Sequence, residues 1–261
     1  MIKATEAEKR EILDFLAGDA ANCLYLYMDI YWYGLDGDII SVWYEKKDGA
    51  FSLIVMKFFS TLQVYSPEND FDPAAFLELF RQENCERVFS RRATVEMLAP
   101  YFGDGFYCEF GKVIEIKKYR KFLKEYPKVE QATPADLPEI TRLLLMDEEN
   151  AKSYAYEELL SSLQSLYDTG MGRSYVLRED GKIVAHTSIS AESDIFAIGA
   201  YTIVHPDYRD TFCGMILDSY MCNVATGEKK LFGFMTDERR IKMFSALGNP
   251  PVTEYGKLIK K

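Results

Sequence analysis

The chain has 261 residues, of which 48% are hydrophobic, and this is enough to bury a full core in one domain or two. Its formal net charge of −10 argues against nucleic acid or an anionic membrane as a partner, because both attract a basic surface. Five cysteines without metal-binding spacing and only two histidines predict no metal site and a reducing, cytoplasmic environment.

Alternating and helical patterns succeed one another along the first half. Residues 1–16 lack the apolar core of a signal peptide, and no apolar stretch of the chain is long enough to span a bilayer. The segment "DIISVWYEKKDGAFSLIVMKFF" predicts a β-hairpin around Asp48-Gly49. After it we expect a strand, a helix, a strand, a helix and a strand in "TLQVYS", "DPAAFLELFRQ", "CERVFSRR", "TVEMLAPYFG" and "YCEFGKVIEI".

A charged connector, "KKYRKFLKEYPKVEQATPADLPEI", divides the sequence near residue 128 and predicts two domains, 1–127 and 128–261. Within it, Thr133 and Asp136 have the spacing of a capping box, which predicts a helix start. A second helix is expected in "YAYEELLSSLQSLYDTG", ending at Gly170.

The remainder of the second half predicts mainly strands. A hairpin is expected around Asp180-Gly181, and "FAIGAYTIV" is a further strand. A helix from about residue 212 to 225 follows, then a strand, a helix and a last strand in "KKLFGFMTD", "ERRIKMFSALG" and "PPVTEYGKLIK". This order predicts an α+β fold with one mixed sheet flanked by helices. The first half has nearly the same order, which indicates either an internal duplication or an unrelated α+β domain.

Two short motifs in the second half carry a resemblance to a known family. "VHPDYRDTFCG" is similar to V-x-P-x-[YF]-[RQ]-x-x-G-x-[GA], and "DERRIKMFSALGN" is similar to N-x-x-A-x-x-x-Y-x-x-x-G-F. With "VEQATPADLPEI" and "CNVATGEKKLF", residues 129–261 resemble the GCN5-related N-acetyltransferases, the GNAT superfamily, and its FR47-like branch. The resemblance implies a C-terminal GNAT domain preceded by a degenerate GNAT-like copy.

The resemblance also implies a site for acetyl-CoA, whose pyrophosphate the family holds on backbone N–H groups at a helix N-terminus. The preceding backbone pairs with the pantetheine arm like an added strand, and the thioester carbonyl lies near its end. The residues assigned to the co-substrate are Thr202, Ile203, Val204, Arg209, Asp210, Thr211, Phe212, Cys213, Gly214, Asp237 and Phe244.

Several of these residues depart from the family pattern. Phe212 replaces a glycine, and we expect its side chain to restrict the backbone and to enter the volume of the phosphates. Asp210 places a carboxylate beside a polyanionic ligand. Phe244 replaces a tyrosine that protonates the leaving thiolate in many members, while Asp237 and Asn249 replace an asparagine and a phenylalanine.

Acetyl transfer to an amine requires a group that accepts a proton, and three residues are candidates for catalysis. His205 is either a base or a solvent-facing loop residue, and His186, in "VAHTSIS", either faces the acceptor cleft or is a hydrogen-bonded residue of the sheet. Tyr201 is either an acid or a packed aromatic residue of the core. Glu192 and Asp194 either lie on a solvated loop or attract a cationic amine.

Two functions follow from the sequence. The first is an acetyl-CoA-dependent N-acyltransferase that acts on a small primary amine by direct attack, as a monomer or homodimer. The second is a pseudoenzyme that keeps the fold as a binding or regulatory module. The loop "PENDFD" of the first half has three acids and no glycine, so we expect that half to have a structural or acceptor-shaping role. Its aromatic run "CLYLYMDIYWYGL" predicts either a core or part of a shared cleft.

Overall fold

The predicted helices and strands occur in the predicted order, but the strand expected in "FAIGAYTIV" is divided into Phe196–Gly199 and Ile203–Val204. Further helices lie at Lys9–Ala17, Ala20–Tyr33 and Glu148–Ser153. The computed structural model describes residues 1–200 and 202–261, with the side chains of residues 149 and 153 left aside. The chain forms two units: unit 1 is Met1–Val113, Met235–Ile241 and Pro251–Lys261, and unit 2 is Ile114–Phe234 and Lys242–Pro250. The domain boundary predicted between residues 127 and 128 stays a prediction.

The elements of the first half are the strands β1 (Ile2–Lys3), β2 (Ile40–Lys47), β3 (Ala50–Phe58), β4 (Thr61–Tyr65), β5 (Arg87–Arg91) and β6 (Phe106–Ile116), and the helices α1 (Lys9–Ala17), α2 (Ala20–Tyr33), α3 (Pro73–Gln82) and α4 (Arg92–Phe102). The strands of the second half are β7 (Glu130–Gln131), β8 (Arg173–Glu179), β9 (Lys182–Glu192), β10 (Phe196–Gly199), β11 (Ile203–Val204), β12 (Lys230–Met235) and β13 (Pro251–Lys260). Its helices are α5 (Leu137–Leu144), α6 (Glu148–Ser153), α7 (Tyr156–Thr169), α8 (Cys213–Tyr220) and α9 (Glu238–Ala246). None of the helices described combines the length and the apolar character that crossing a membrane requires.

The sheet of unit 1 has the strand order β1-β2-β3-β4-β5-β13-β6. Strands β4 and β5 are parallel, whereas β13 lies antiparallel to β5, with Tyr255 opposite Arg91. The last strand of the chain therefore completes the sheet of unit 1, although the sequence placed it in the second domain. Helices α3 and α4 cover one face of this sheet, where Phe76 and Val95 are fully buried in an apolar core.

The sheet of unit 2 has the order β12-β10-β9-β8-β7, and β11 pairs with β9. Helices α5 and α7 cover one face, where Leu137 and Ile140 pack against Val176 in an apolar core. Helix α8 lies on the other face, where Tyr220 contacts the ring of Tyr175 at a centroid distance of 5.4 Å. Unit 2 thus has helices on both faces of a mixed sheet, as predicted.

The two halves share details of local geometry that support duplication. The backbone N–H of Thr5 donates to the carboxylate of Glu8 at 2.8 Å, and the N–H of Thr133 donates to that of Asp136 at 2.8 Å. Both predicted hairpins close through Asp-Gly turns in which the two residues have positive φ, 51° and 83° in the first and 50° and 78° in the second. These φ values are those of the type I′ turn that fits the twist of a hairpin.

The aromatic run of the first half forms α2 in unit 1. The ring of Tyr25 meets Phe89 edge-on at 5.4 Å, so this part of the run belongs to the packing of the sheet. Asp29 interrupts the aromatic sequence, and its Oδ2 accepts a hydrogen bond from Nε2 of Gln63 at 2.7 Å. Burial raises the pKa of the Asp29 carboxyl to about 7.

Candidate functional site

The strand of unit 2 that lies between β9 and β12 is interrupted at a defined point. Strand β10 runs parallel to β12 as far as the pair Gly199 and Gly233, and the register of β10 against β9 shifts between Ile198 and Gly199. Beyond the break, β11 pairs with β9 alone among the described residues, with Ile203 opposite His186. The edge of β11 that faces away from β9 therefore has backbone groups on which a ligand can pair like a strand.

A buried polar network fixes β11 against α8. The hydroxyl of Thr202 donates to the carboxylate of Asp218, and it also bonds to the hydroxyl of Thr187 at 2.8 Å. The other carboxylate oxygen of Asp218 accepts from the hydroxyl of Tyr119 at 3.2 Å. Asp218 is 6% exposed, so the carboxylate at the centre of the network is largely shielded from bulk water.

The loop from β11 to α8 retains unused backbone donors. The N–H of Thr211 donates to the carbonyl of Tyr208 at 3.0 Å, and the N–H of Cys213 donates to the hydroxyl of Thr211 at 3.3 Å. The next two N–H groups, of Gly214 and Met215, lie in the first turn of α8, where helix geometry provides no carbonyl partner. They are the donors that this loop offers to an anion.

The backbone of Phe212 is not strained in this loop. Its φ of −86° and ψ of 5° suit any residue, so the backbone does not require glycine there. Its side chain is 62% exposed and lies beside Phe122, with ring centroids 6.2 Å apart. The backbone restriction expected from the sequence is therefore absent, and the expected conflict of the side chain with the phosphates stays a prediction. Gly214 is the position where space is tight, because a Cβ there would lie 3.1 Å from Cγ2 of Val204.

The charged connector lies along α8. The hydroxyl of Ser219 donates to the carbonyl of Arg120 at 2.6 Å, and the hydroxyl of Tyr126 lies 2.7 Å from that of Ser219. The side chains of Arg209, Asp210 and Arg120 are all exposed. Asp210 is thus an exposed acidic residue of the loop, next to the exposed Arg209, and its repulsion of a polyanionic ligand stays a prediction.

Asn249 and Phe244 have structural roles in unit 2. Oδ1 of Asn249 accepts from the N–H groups of Lys117 and Lys118 at 2.9 and 3.0 Å, and its Nδ2 donates to the carbonyl of Lys118 at 2.6 Å. Phe244 is 1% exposed, and its ring lies 6.0 Å from that of Tyr119. Both residues depart from the family pattern, and both attach the connector, which begins at Lys117, to the rest of unit 2.

Solved structures share the fold over nearly the whole chain. An acetyltransferase of the GNAT family from Colwellia psychrerythraea has a TM-score of 0.58 at 13% identity, covering 99% of this chain and 98% of its own. A tandem GNAT protein of the clavulanic acid biosynthesis pathway has a TM-score of 0.56 at 12% identity, covering 99% of this chain and 97% of its own.

The chain has the GNAT fold. A Drosophila protein matches as well, with a TM-score of 0.66 at 13% identity over 99% of this chain and 97% of its own. The sequence matches no protein-family model, and no curated protein matches it. The predicted fold, with two GNAT-like copies, is confirmed.

The GNAT-like copy in unit 1 lacks an open strand break. Its parallel pairing ends at Gln63 and Phe89, and the hydroxyl of Ser90 then donates to the carbonyl of Val64 at 2.5 Å. Nη2 of Arg91 donates to the carbonyls of Ser66 and Pro67 and to Oδ1 of Asn69, at 2.5, 3.0 and 3.0 Å. The loop after β4 therefore directs oxygen acceptors inward, which is the wrong polarity for a phosphate.

His205 is arranged as a capping residue. Its Nδ1 accepts the N–H of Asp207 at 3.3 Å, at the start of the turn Pro206–Tyr208. This bond occupies the lone pair that a base would use, and the other ring nitrogen then carries the proton. Its role as a base stays a prediction without support from this geometry.

His186 is buried in the sheet of unit 2, which agrees with the second of its two interpretations. It is 2% exposed, and its Nε2 lies 3.1 Å from the hydroxyl of Ser174. Its Nδ1 has no hydrogen-bond partner among the described residues. Burial lowers the pKa of His186 to about 4, so the ring is neutral at pH 7.

The remaining candidate residues lie in different surroundings. Tyr201 lies outside the described residues. Glu192 is not on a solvated loop, since it is 9% exposed at the end of β9 and forms ion pairs with Arg173 and Lys229. Asp194 is exposed, and the carboxylate of Asp237 accepts the N–H of Arg239 at 2.8 Å at the start of α9.

Among the described residues, no three His, Cys, Asp or Glu side chains are grouped as metal ligands.

A cavity of about 320 Å³ lies between α7 and the sheet of unit 2. Its polar lining includes the hydroxyls of Ser174 and Ser188, and Leu163 and Leu166 supply an apolar wall. The carbonyl of Ser188 accepts the N–H of Ala200 at 2.8 Å, so the cavity adjoins the break between β10 and β11. Sequence reasoning missed this cavity because its lining comes from segments without a motif.

The pKa of His186 predicts a dependence of stability on pH. The unfolded histidine accepts a proton below about pH 6.5, whereas the folded one does so only near pH 4, so stability falls as the pH is lowered through this range. Between pH 7 and pH 5 the loss is about 2 kcal/mol. The raised pKa of the Asp29 carboxyl has the opposite effect, because it makes the folded protein more stable as the pH is lowered over the same range.

The His186→Gln variant isolates this contribution. Urea unfolding of the wild type and the variant at pH 7 and pH 5 should show that the wild type loses about 2 kcal/mol more on acidification than the variant does. An equal change in both proteins would show that His186 is protonated as readily in the folded chain as in the unfolded one.

Proposed function

We propose that unit 2 binds acetyl-CoA and transfers its acetyl group to a small primary amine. The observation that carries the proposal is the break between β10 and β11, together with the helix α8 that the next loop leads into, whose first-turn N–H groups at Gly214 and Met215 have no partner in the helix. These features provide a strand edge for the pantetheine arm and donors for the pyrophosphate.

The residues present fit acetyl-CoA at each of these points. The backbone of Thr202, Ile203 and Val204 would hold the pantetheine arm, while the absence of a Cβ at Gly214 keeps the start of α8 from pressing on Val204. When bound, acetyl-CoA supplies an acetyl thioester, and transfer forms an amide bond, breaks the C–S bond and moves one proton from the amine to the thiolate.

The cavity below α7 supports the acceptor part of the proposal. It adjoins the strand break, and its hydroxyls at Ser174 and Ser188 can bond to an amine, while its leucines can contact an apolar body. His186 lies behind Ser174 at 3.1 Å, so the Ser174 hydroxyl is the part of this pair that a ligand would touch. We propose a monomer or homodimer in the cytoplasm, and all five cysteines are free thiols.

A pseudoenzyme is the alternative, and specific observations favour it. Phe244 is a buried residue without a hydroxyl, His205 uses its Nδ1 as a cap, and His186 is neutral and inaccessible. None of these three side chains is placed to move a proton at the strand break. Binding of acetyl-CoA without turnover would identify this alternative.

A thiol-release assay tests the proposal. The full chain is incubated with acetyl-CoA and a panel of small primary amines, and the acetylated amine is identified by mass spectrometry. We expect Gly214→Val to lower the rate about tenfold, because a branched side chain would press on Val204, 3.1 Å from the new Cβ. Gly105→Val is the matched control, since no atom lies within 4 Å of a Cβ there. Absence of both turnover and binding would contradict the proposal.

A further inference from the structure

Three exposed or partly exposed side chains form a row beside the N-terminus of α8. The guanidinium of Arg120 lies over the ring of Phe122 at 5.1 Å, and Phe122 lies 6.2 Å from Phe212. Phe212 is 62% exposed, although it is one of the largest apolar side chains in unit 2. We call this feature the Arg120–Phe122–Phe212 row.

The segment that carries the row is strongly basic in an acidic protein. Residues 117–124, "KKYRKFLK", include five lysines or arginines and no acid, whereas the whole chain has a net charge of −10. In the described part of the chain, Arg120, Lys121 and Lys124 form no ion pair. This surface is therefore a local positive patch beside one exposed aromatic ring, Phe212, and one partly exposed ring, Phe122.

The patch has a fixed position. Ser219 of α8 holds the carbonyl of Arg120, and Asn249 holds the backbone of Lys117 and Lys118. Phe212 is the residue immediately before α8, so the row begins within two residues of the N–H group of Gly214. A ligand whose pyrophosphate reaches that N–H group would extend its next chemical group toward the row.

We propose that the Arg120–Phe122–Phe212 row binds the adenine ring and the 3′-phosphate of acyl-CoA. The purine would stack on the outer face of Phe212, and the 3′-phosphate would lie near Arg120 and Lys121. This inference rests on the proposed function, because it assigns the nucleotide end of the same co-substrate. Phe212 thereby contributes to binding at a position where the family pattern has glycine.

Two single variants and two matched controls test the row. Titration calorimetry measures the Kd of acetyl-CoA and of adenosine 3′,5′-bisphosphate for the wild type, Phe212→Ala and Arg120→Ala. We expect Phe212→Ala to weaken both ligands about 5- to 100-fold, because loss of one stacked aromatic removes that much affinity. Arg120→Ala should weaken both less, and its effect should shrink as the salt concentration rises.

The controls are Phe59→Ala and Arg10→Ala in unit 1, where the wild-type side chains are 60% and 95% exposed. They should leave both Kd values unchanged. If acetyl-CoA binds the wild type and Phe212→Ala equally well, the assignment of the row to the adenine ring is wrong and the proposed function stands. If acetyl-CoA does not bind at all, the proposed function fails, and binding of the bisphosphate then decides whether the row is a nucleotide site.

Discussion

Replacing Asn249 with alanine is expected to lower the free energy of unfolding of unit 2 by about 2–4 kcal/mol. The substitution removes three hydrogen bonds to the backbone of Lys117 and Lys118 and leaves a space at a residue that is 2% exposed. Because the connector carries the basic patch, the variant should also bind acetyl-CoA more weakly than the wild type.

Asn249→Asp is the matched control for this prediction. Its carboxylate can still accept from both N–H groups, but a buried carboxylate oxygen then faces the carbonyl of Lys118 in place of the amide donor, so we expect a loss no smaller than that of Asn249→Ala. Urea unfolding followed by circular dichroism measures the stability, because both tryptophans, Trp32 and Trp43, lie in unit 1. Hydrogen exchange supplies the local readout, and unchanged protection at Lys117 and Lys118 would contradict the assigned role.

Replacing Asp218 with alanine is expected to destabilise unit 2 by about 2–4 kcal/mol and to weaken acetyl-CoA binding. Its buried carboxylate accepts from the hydroxyls of Thr202 and Tyr119, and both hydroxyls would lose a charged acceptor. Thr202 lies directly before β11, so the strand edge proposed for pantetheine would lose its attachment to α8.

Asp14→Ala is the control for loss of a carboxylate at the surface. Asp14 is 77% exposed and its contact with Arg10 is 4.0 Å long, so the stability should change by less than about 0.5 kcal/mol. Asp218→Asn keeps an oxygen acceptor and should recover part of the lost stability. Equal stability of Asp218→Ala and the wild type would show that the network does not hold β11.

Local patterns predicted much of the fold. The two Asp-Gly dipeptides located both hairpins, because few other residue pairs accept positive φ at successive positions. The repeated Ala-Thr-x-Ala-acid sequence at Ala4 and Ala132 also marks the start of each copy, and it was a signal of duplication that the sequence interpretation did not use. The backbone restriction expected at Phe212 is not found, since spacing does not give its φ, while the expected conflict of its side chain with the phosphates stays a prediction.

The remaining features depend on contacts between distant segments. Asn249 bonds to Lys117 and Lys118, which lie 132 and 131 positions before it in the sequence. No periodicity or motif connects these residues. Strand β13 pairs with β5 in unit 1, although element order alone placed it in the second domain. The cavity below α7 likewise combines β7, β8 and β9 with a helix, and only the folded chain brings these segments together.

Titration of the full chain with acetyl-CoA tests the central claim most directly. If unit 2 holds acetyl-CoA on β11 and the first turn of α8, calorimetry should give saturable binding with one ligand per chain. A concentration of 100 times Kd should then stabilise the protein by about 2.7 kcal/mol. Gly214→Val should weaken this binding, whereas Gly105→Val should not. No heat of binding and no stabilisation at millimolar acetyl-CoA would contradict the claim that this GNAT-fold unit is an acetyl-CoA site.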